Sequence, residues 1–309
     1  MPAAFFCELT QYNLLRFSGD DAQPFLHNQL TCDVAALARD RGTYGAYCTP
    51  KGRMLASFLL WRSEQDYFMQ LPASLREPIQ KQLSRFILRS KVKVADVTSE
   101  NALIGVGGKD AEPLVQRAAG AAPGSACEIA RAGAAAVIRL PGDRFQIVVP
   151  RGDASRVLEV LAAGATAVST ASWERLDIRA GIPTVLPATQ EAFVPQMVNL
   201  DLIGGVSFDK GCYPGQEIVA RMHFRGTLKQ RMYLARIPGT GQPQPGDKVY
   251  SVGFGEQACG TIVNAAPSPE GGFDALAVIQ IAGAEKGAVH WQSLQGPALE
   301  LSPLPYRVA

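Results

Sequence analysis

Residues 207–226 read SFDKGCYPGQEIVARMHFRG and place a lysine, a cysteine, two glycines and a glutamate within eight positions. The glycines allow a left-handed backbone and close chain approach, and Pro214 suits the first turn of a helix. If that helix runs to about Phe224, Cys212 lies just before its N-terminus, where free N–H groups and the helix dipole favour a thiolate. The stretch therefore predicts one activated cysteine on a glycine-shaped loop.

The charged neighbours of this cysteine support the same interpretation. Lys210 adds positive charge beside the thiol, and Glu217 and Arg221 are spaced to pair along the helix. Two alternatives remain open: Cys212 is a small filler in a turn with a solvated Lys210, or His223 serves as its base. The second is weaker, because His223 lies eleven residues further on, roughly 13–16 Å along a helix.

Composition limits the classes of protein that need to be considered. The chain has 309 residues, of which 47% are hydrophobic and 19% charged, so it has the apolar mass for two or three packed domains. A net charge of +2 gives no electrostatic basis for a direct nucleic-acid partner. No apolar run approaches the roughly 18–20 residues that span a bilayer, and the N-terminus lacks a signal-peptide pattern. We expect a cytoplasmic protein without a membrane partner.

The cysteines and histidines do not form a metal-binding pattern. No two cysteines are spaced as C-x-x-C, which argues against a zinc site, a ferredoxin-type cluster or a disulfide framework. Three histidines are too few and too scattered for a metal site. No metal is therefore expected. The six cysteines are Cys7, Cys32, Cys48, Cys127, Cys212 and Cys259.

Alternating apolar runs and turn residues predict a mixed α+β fold. Pro50 and Gly52 mark a hairpin turn, PKGR at 50–53, between two strand-like runs. Ser74 followed by Glu77 predicts a capping box at the start of a helix. Alternation in RSKVKVAD predicts a strand over 89–96.

The character of the chain changes near residue 230. Short strand-like runs separated by Gly- and Pro-rich turns follow, with no convincing helix among them. The sequence thus predicts two domains, an α+β region over 1–229 and a small β-barrel or sandwich over 230–309.

KGCYPGQE, residues 210–217, resembles the K-G-C-Y-x-G-Q-E signature of YgfZ-type folate-binding proteins, which are relatives of the glycine-cleavage T-protein. The resemblance also includes LTCDV (30–34), LRSKV (88–92) and WERLDIRAGIP (173–183), and it covers essentially the whole chain. The motif positions beside the cysteine and lysine are Gly211, Tyr213, Gly215, Gln216, Glu217 and, on the helix, Arg221.

This resemblance implies a T-protein-like fold of two intertwined α+β folate-binding subdomains (1–229) and a C-terminal β-barrel (230–309). It implies tetrahydrofolate or a folate derivative as the cofactor. It further implies a role in assembling or repairing iron–sulfur clusters in client enzymes, and through them in tRNA modification. Iron–sulfur client or assembly proteins would be transient partners. Cys212 would be the reactive residue, assisted by Lys210.

The resemblance also indicates folate-binding positions. Tyr12 and Trp173 offer aromatic faces on which a pterin or aminobenzoyl ring can stack, although each can equally be a packing residue. Arg89 and Lys91, and more weakly Arg53, are candidates to meet the anionic glutamate tail of a folate. The alternative for these basic residues is a solvated face beside a strand.

Two departures from the T-protein pattern bear on activity. The position of its catalytic aspartate falls on Ile79, which cannot assist proton transfer. The position of its pterin-binding glutamate falls on Arg179, which offers only hydrogen-bond donors. Enzymatic activity is therefore uncertain, and aminomethyl transfer is disfavoured. A folate-dependent one-carbon transferase remains the alternative function, and a non-enzymatic scaffold with a structural Cys212 is the third hypothesis.

Overall fold

A computed structural model describes residues 3–308 and shows a mixed α+β protein with three sheets. The strands are β1 (Phe5–Glu8), β2 (Tyr12–Ser18), β3 (Gly42–Cys48), β4 (Met54–Arg62), β5 (Tyr67–Pro72), β6 (Lys93–Asp96), β7 (Asn101–Gly107), β8 (Ile129–Ala132), β9 (Ala135–Leu140), β10 (Arg144–Pro150), β11 (Thr166–Ala167), β12 (Gln230–Ile237), β13 (Lys248–Ser251), β14 (Ala258–Pro267), β15 (Phe273–Gln280), β16 (Val289–Trp291) and β17 (Glu300–Ser302). The helices are α1 (Ala22–His27), α2 (Ala73–Ser84), α3 (Ala111–Ala119), α4 (Ala154–Ala162), α5 (Thr170–Arg179), α6 (Gln216–Arg225) and α7 (Ile281–Lys286).

The first sheet has the order β11-β1-β7-β10-β9-β8. Its pairs are antiparallel except for the parallel pair of β1 with β11. Helices α3 and α4 cover one face, because their apolar stripes meet inward-pointing strand residues such as Val106 and Ile147. The buried helix residues of this core include Leu114, Val115 and Val157.

The second sheet has the order β3-β4-β5-β2-β6 and contains the predicted hairpin. The turn between β3 and β4 falls on the predicted PKGR segment, where Gly52 adopts a φ of +71°. Helix α2 begins at Ala73 with Pro72 as N-cap and no side-chain cap, so the predicted Ser74–Glu77 capping box is wrong. Strand β6 starts only at Lys93, which leaves the first half of the predicted strand over 89–96 as a loop.

The third sheet is built entirely from residues after 229, in the order β16-β13-β14-β15-β12-β17. It is antiparallel and curls into a half-barrel around a core that includes Ile237, Ile262 and Trp291. The predicted absence of a helix here is wrong, because α7 follows β15 directly. Six residues are too few to show a helical period in the sequence, which is why this helix was missed.

The chain forms two compact units. One comprises the segments up to Leu26, Val34–Thr43 and Phe58–Trp173, and the other comprises His27–Asp33, Tyr44–Ser57 and the chain from Glu174 onward. The boundary predicted at 229/230 stays a prediction. No helix among residues 3–308 combines the length and the apolar character needed to cross a membrane.

Candidate functional site

The KGCYPGQE segment forms a turn that leads into α6. Gly215 is the N-cap residue of that helix and adopts a φ of +84°. The N–H of Gln216 donates to the carbonyl of Tyr213 at 3.1 Å, and the Gln216 amide donates to the carbonyl of Lys210 at 3.3 Å. The helix thus starts two residues later than predicted at Pro214. Cys212 lies on the preceding turn rather than directly at the helix end, and this weakens the helix-dipole argument.

Gly215 packs directly against the turn of the β3–β4 hairpin. A Cβ on Gly215 would lie 2.5 Å from the Cα of Gly52 and 2.5 Å from the carbonyl oxygen of Thr49. A Cβ on Gly52 would in turn lie 3.1 Å from the Cβ of Ile218 on α6. The two glycine motifs, PKGR and KGCYPGQE, are therefore two halves of one backbone contact that only glycine permits on both sides.

Lys210 is the side chain that fixes the other end of this segment. It is only 9% exposed, and its ammonium donates to the carbonyls of His27, of Leu30 at 2.6 Å and of Cys32 at 3.1 Å. We call this arrangement the lysine clamp. The clamp joins residues 27–33 to the start of the KGCYPGQE segment. Lys210 therefore has a structural role in addition to contributing charge.

The ring of Tyr213 packs against the Lys210 ammonium. The Lys210 Nζ lies 5.0 Å from the centre of this ring, a cation–π distance. Tyr213 is buried, and within residues 3–308 its hydroxyl has no hydrogen-bond partner. Burial raises the pKa of Tyr213 well above its usual range, and the nearby Cys48 and Cys32 raise it further, so the phenol stays protonated.

Cys212 is exposed, unlike the other cysteines of the described residues. Cys32 and Cys48 are buried, and burial raises the pKa of each to about 12. Cys127 is intermediate in exposure, and burial raises its pKa as well. A reagent in solution therefore meets Cys212 as the accessible thiol of the described residues, and its role as the reactive group stays a prediction.

The charged and aromatic residues of α6 do not make the contacts that the sequence predicted for them. Glu217 and Arg221 are both exposed, and within residues 3–308 they form no ion pair with each other. His223 stacks on Phe208 with 3.8 Å between ring centres, and Phe224 packs edge-on against both rings. This aromatic contact engages His223 at the far end of the helix.

A histidine that the sequence analysis set aside, His27, lies close to Gly211 of the signature turn. The Nδ1 of His27 is 3.3 Å from the Oδ1 of Asp33, and the His27 Nε2 lies 3.8 Å from the position that a Cβ on Gly211 would take. His27 is the last residue of α1, and Asp33 ends the segment 27–33 whose carbonyls accept from Lys210. The LTCDV segment contains Asp33, but nothing in the sequence indicated that residues 27–33 contact Lys210.

Trp173, one predicted folate-stacking residue, is buried at 1% exposure. The guanidinium of Arg144 lies 4.9 Å from its ring centre, and a Cβ on Gly105 would lie 2.5 Å from its ring. These contacts correspond to the packing alternative for Trp173. Stacking of a folate on its indole stays a prediction, and it requires displacement of one of these neighbours.

Tyr12, the other predicted stacking residue, borders a cavity of about 130 Å³. Arg151 enters this cavity, where it pairs with Glu8 at 3.4 Å and donates to the carbonyl of Asn101 at 2.8 Å. The cavity thus offers an aromatic wall, a carboxylate and a guanidinium. The remaining lining residues are Leu9, Thr10, Leu14, Thr98 and Leu103.

The basic residues predicted to meet a folate tail lie apart from this cavity lining. Arg89 and Lys91 are exposed on the loop before β6, and the Lys91 ammonium lies 3.5 Å from Asp20. Arg53 donates to the carbonyl of Ala192 at 2.9 Å, which links the PKGR turn to a later segment of the same compact unit. Their contact with a folate tail stays a prediction.

The two departures from the T-protein pattern have clear structural roles. Ile79 is fully buried on the inner face of α2, where an ionised carboxylate would be costly. Arg179 lies 3.7 Å from Asp274, a buried carboxylate that also accepts a 2.6 Å hydrogen bond from Arg175. Both residues serve packing or ion pairing at the positions in question.

Comparison with known proteins defines the class. Residues 2–130 match the family model described as GCVT N-terminal domain. The structure resembles that of the glycine cleavage system aminomethyltransferase T from Bartonella henselae, with a TM-score of 0.76 and 18% identity over 98% of this chain and 86% of that chain. The fold is therefore that of the aminomethyltransferase T-proteins.

Sequence similarity is more specific. The chain is 30% identical over 301 residues to the tRNA-modifying protein YgfZ of Shigella sonnei (strain Ss046), covering 96% of this chain and 92% of the relative. The same identity and coverage hold for the tRNA-modifying protein YgfZ of Escherichia coli O9:H4 (strain HS). The chain belongs to the YgfZ family.

Proposed function

We propose that this protein binds tetrahydrofolate or a related folate and supports the assembly or repair of iron–sulfur clusters in client enzymes. Its contribution to tRNA modification, the activity in the names of its relatives, would pass through those enzymes. Cys212 is the reactive group. The observation that carries the proposal is an exposed thiol on the turn of the family signature, whereas the other five cysteines of residues 3–308 are less accessible.

The lysine clamp and the Gly215–Gly52 contact explain why this turn suits a reactive thiol. Both ends of the KGCYPGQE segment are fixed, one by three hydrogen bonds from Lys210 and the other by backbone packing. Cys212 is therefore presented to a client without ordering of the loop on binding, which would otherwise lower affinity. Iron–sulfur client or assembly proteins are the partners that we propose for this exposed turn.

The redox state of the cysteines indicates the cellular compartment of the protein. No disulfide bond joins the cysteines of residues 3–308, and a reducing compartment keeps thiols in that state. A cytoplasmic location is thus part of the proposal.

Folate binding is supported by the match to the GCVT domain and by the chemistry of the Tyr12 cavity. The Tyr12 ring offers a stacking surface, Glu8 accepts hydrogen bonds from N–H groups such as those of a pterin, and Arg151 matches a carboxylate. At about 130 Å³ the cavity holds one ring system rather than a whole folate. The residues present therefore fit part of the ligand, and when bound the folate would supply one-carbon or reducing chemistry.

Aminomethyl transfer remains the alternative function and is disfavoured. It needs a group that steers proton transfer at the folate nitrogen, and the corresponding positions hold the buried Ile79 and the ion-paired Arg179. Aminomethyl transfer to tetrahydrofolate by the purified protein would reinstate it.

Binding of tetrahydrofolate to the purified protein tests the folate part of the proposal. We expect saturable binding by calorimetric titration, weakened about 5- to 10-fold in Tyr12→Ala, since an aromatic stacking contact contributes about 1 kcal/mol. Tyr250→Ala is the matched control, because Tyr250 is a half-buried tyrosine on β13 and is expected to leave affinity unchanged. Absence of saturable binding in the wild type would contradict folate binding.

A further inference from the structure

The helix that follows the signature turn exposes one whole face. Five side chains of α6 are exposed and recur at the three-, four- and seven-residue spacings of a single helix face. Val219, the buried residue of this helix, lies on the opposite side. We call the exposed set the outer face of α6, and it consists of Glu217, Ile218, Arg221, Phe224 and Arg225.

Phe224 is the largest apolar side chain of this face, and it is exposed yet held by two other rings. Its exposure is 66%. Its ring stands edge-on to the rings of His223 and Phe208, with 4.8 Å and 6.0 Å between centres. A side chain that is already ordered loses little conformational freedom when a partner covers it. Phe224 therefore has the properties of an aromatic anchor in a protein interface.

Positive charge surrounds this apolar centre. Arg221 and Arg225 are exposed three residues before Phe224 and one residue after it. Lys51 is exposed on the PKGR turn, which packs against α6. Glu217 is the acidic residue of the outer face. The surface is therefore complementary to a partner that offers an apolar pocket bordered by carboxylates.

A second copy of this chain fits the outer face poorly. In a symmetric dimer one patch meets the same patch of the other copy, which would bring Arg221 and Arg225 toward the like charges of their counterparts. The two apolar side chains, Ile218 and Phe224, also supply far less than the roughly 800 Å² per partner of a stable interface. A transient partner of opposite charge has neither difficulty.

The outer face is continuous with the turn that presents the exposed thiol. Cys212 precedes Gln216, the first residue of α6, by four positions. The helix has ten residues, which corresponds to about 15 Å of length. A protein that covers α6 therefore also reaches the signature turn.

We propose that the outer face of α6 is the docking surface for the iron–sulfur client, and that the client binds it through an apolar pocket bordered by carboxylates. Phe224 fills the pocket, and Arg221 and Arg225 pair with the carboxylates. This inference rests on the proposed function, because the client is the partner that Cys212 serves. It adds the surface and the chemistry by which that partner is recognised.

The test is the affinity of the purified protein for a cluster-free, iron–sulfur-dependent tRNA-modifying enzyme, measured by biolayer interferometry. We expect Phe224→Ala to bind about 10-fold more weakly than the wild type, because an aromatic anchor is lost. The double variant Arg221→Glu/Arg225→Glu should also bind about 10-fold more weakly. Its affinity should depend less on salt between about 50 and 300 mM NaCl than that of the wild type.

Phe86→Ala and Arg117→Glu are the matched controls, since both residues are exposed and belong to the other compact unit. Both should keep the wild-type affinity. Cys212→Ser should also bind like the wild type, so that docking and the chemistry of the thiol can fail separately. Wild-type affinity in Phe224→Ala and in the double arginine variant would overturn the inference, as would a wild-type protein that does not bind the enzyme.

Discussion

Replacing Gly215 with alanine is expected to lower the free energy of unfolding by about 4 kcal/mol. A φ of +84° is left-handed backbone, which costs an L-residue about 1–2 kcal/mol. The added Cβ would also lie 2.5 Å from both the Gly52 Cα and the Thr49 carbonyl oxygen. These atoms are backbone and cannot rotate away, so overpacking adds about 1–3 kcal/mol.

Gly204→Ala separates the two contributions. Gly204 has a φ of +78°, and among the described residues nothing lies within 4 Å of where its Cβ would be. We expect a loss of only about 1–2 kcal/mol, from backbone strain alone. Denaturant unfolding of both variants gives the comparison. Equal losses would show that the Gly215–Gly52 contact does not hold the signature turn in place.

Replacing Lys210 with methionine is expected to cost about 3 kcal/mol. The change keeps most of the side-chain volume but removes three hydrogen bonds and leaves the carbonyls of the 27–33 loop without their partner. Recovery of the desolvation energy of the ammonium offsets part of this loss. Lys91→Met is the control, since the Lys91 side chain is exposed and its ammonium makes a surface contact with Asp20, so the loss should stay below about 0.5 kcal/mol.

The pH dependence of stability gives an independent signature of this buried lysine. Burial lowers the pKa of Lys210 to about 8, against about 10.4 for an unfolded chain. Between these values the unfolded chain binds more protons, so stability rises with pH in that window and levels off above it. We expect the wild type to gain about 2 kcal/mol over Lys210→Met between pH 8 and 10. Parallel profiles would contradict a buried ammonium.

Sequence patterns predicted those turns and helices that are determined by residues close together in the chain. Pro50 and Gly52 are turn residues, so the β3–β4 hairpin was foreseen where it occurs. Ser74 and Glu77 likewise predicted a helix where α2 lies, although its capping box does not form. The family signature predicted the class of fold, which the comparison with the T-protein structure confirmed.

The parts that were missed depend on contacts between distant segments. No local pattern shows that the carbonyls of 27–33 surround the ammonium of Lys210, so its clamping role was not predicted. For the same reason His27 was set aside as scattered, although Asp33 and Gly211 flank its two ring nitrogens. The burial of Trp173 could not be distinguished from a ligand-stacking role, because both place an aromatic residue on the inner face of a helix.

The central claim is that Cys212 is the reactive group through which the protein supports iron–sulfur enzymes. The most direct measurement is the activity of an iron–sulfur-dependent tRNA-modifying enzyme in cells that lack the native gene. These cells would carry either the wild-type protein or Cys212→Ser at matched protein levels. The proposal predicts that the wild type restores this activity and that Cys212→Ser does not. Full restoration by Cys212→Ser would contradict it and would make Cys212 a structural residue of its turn.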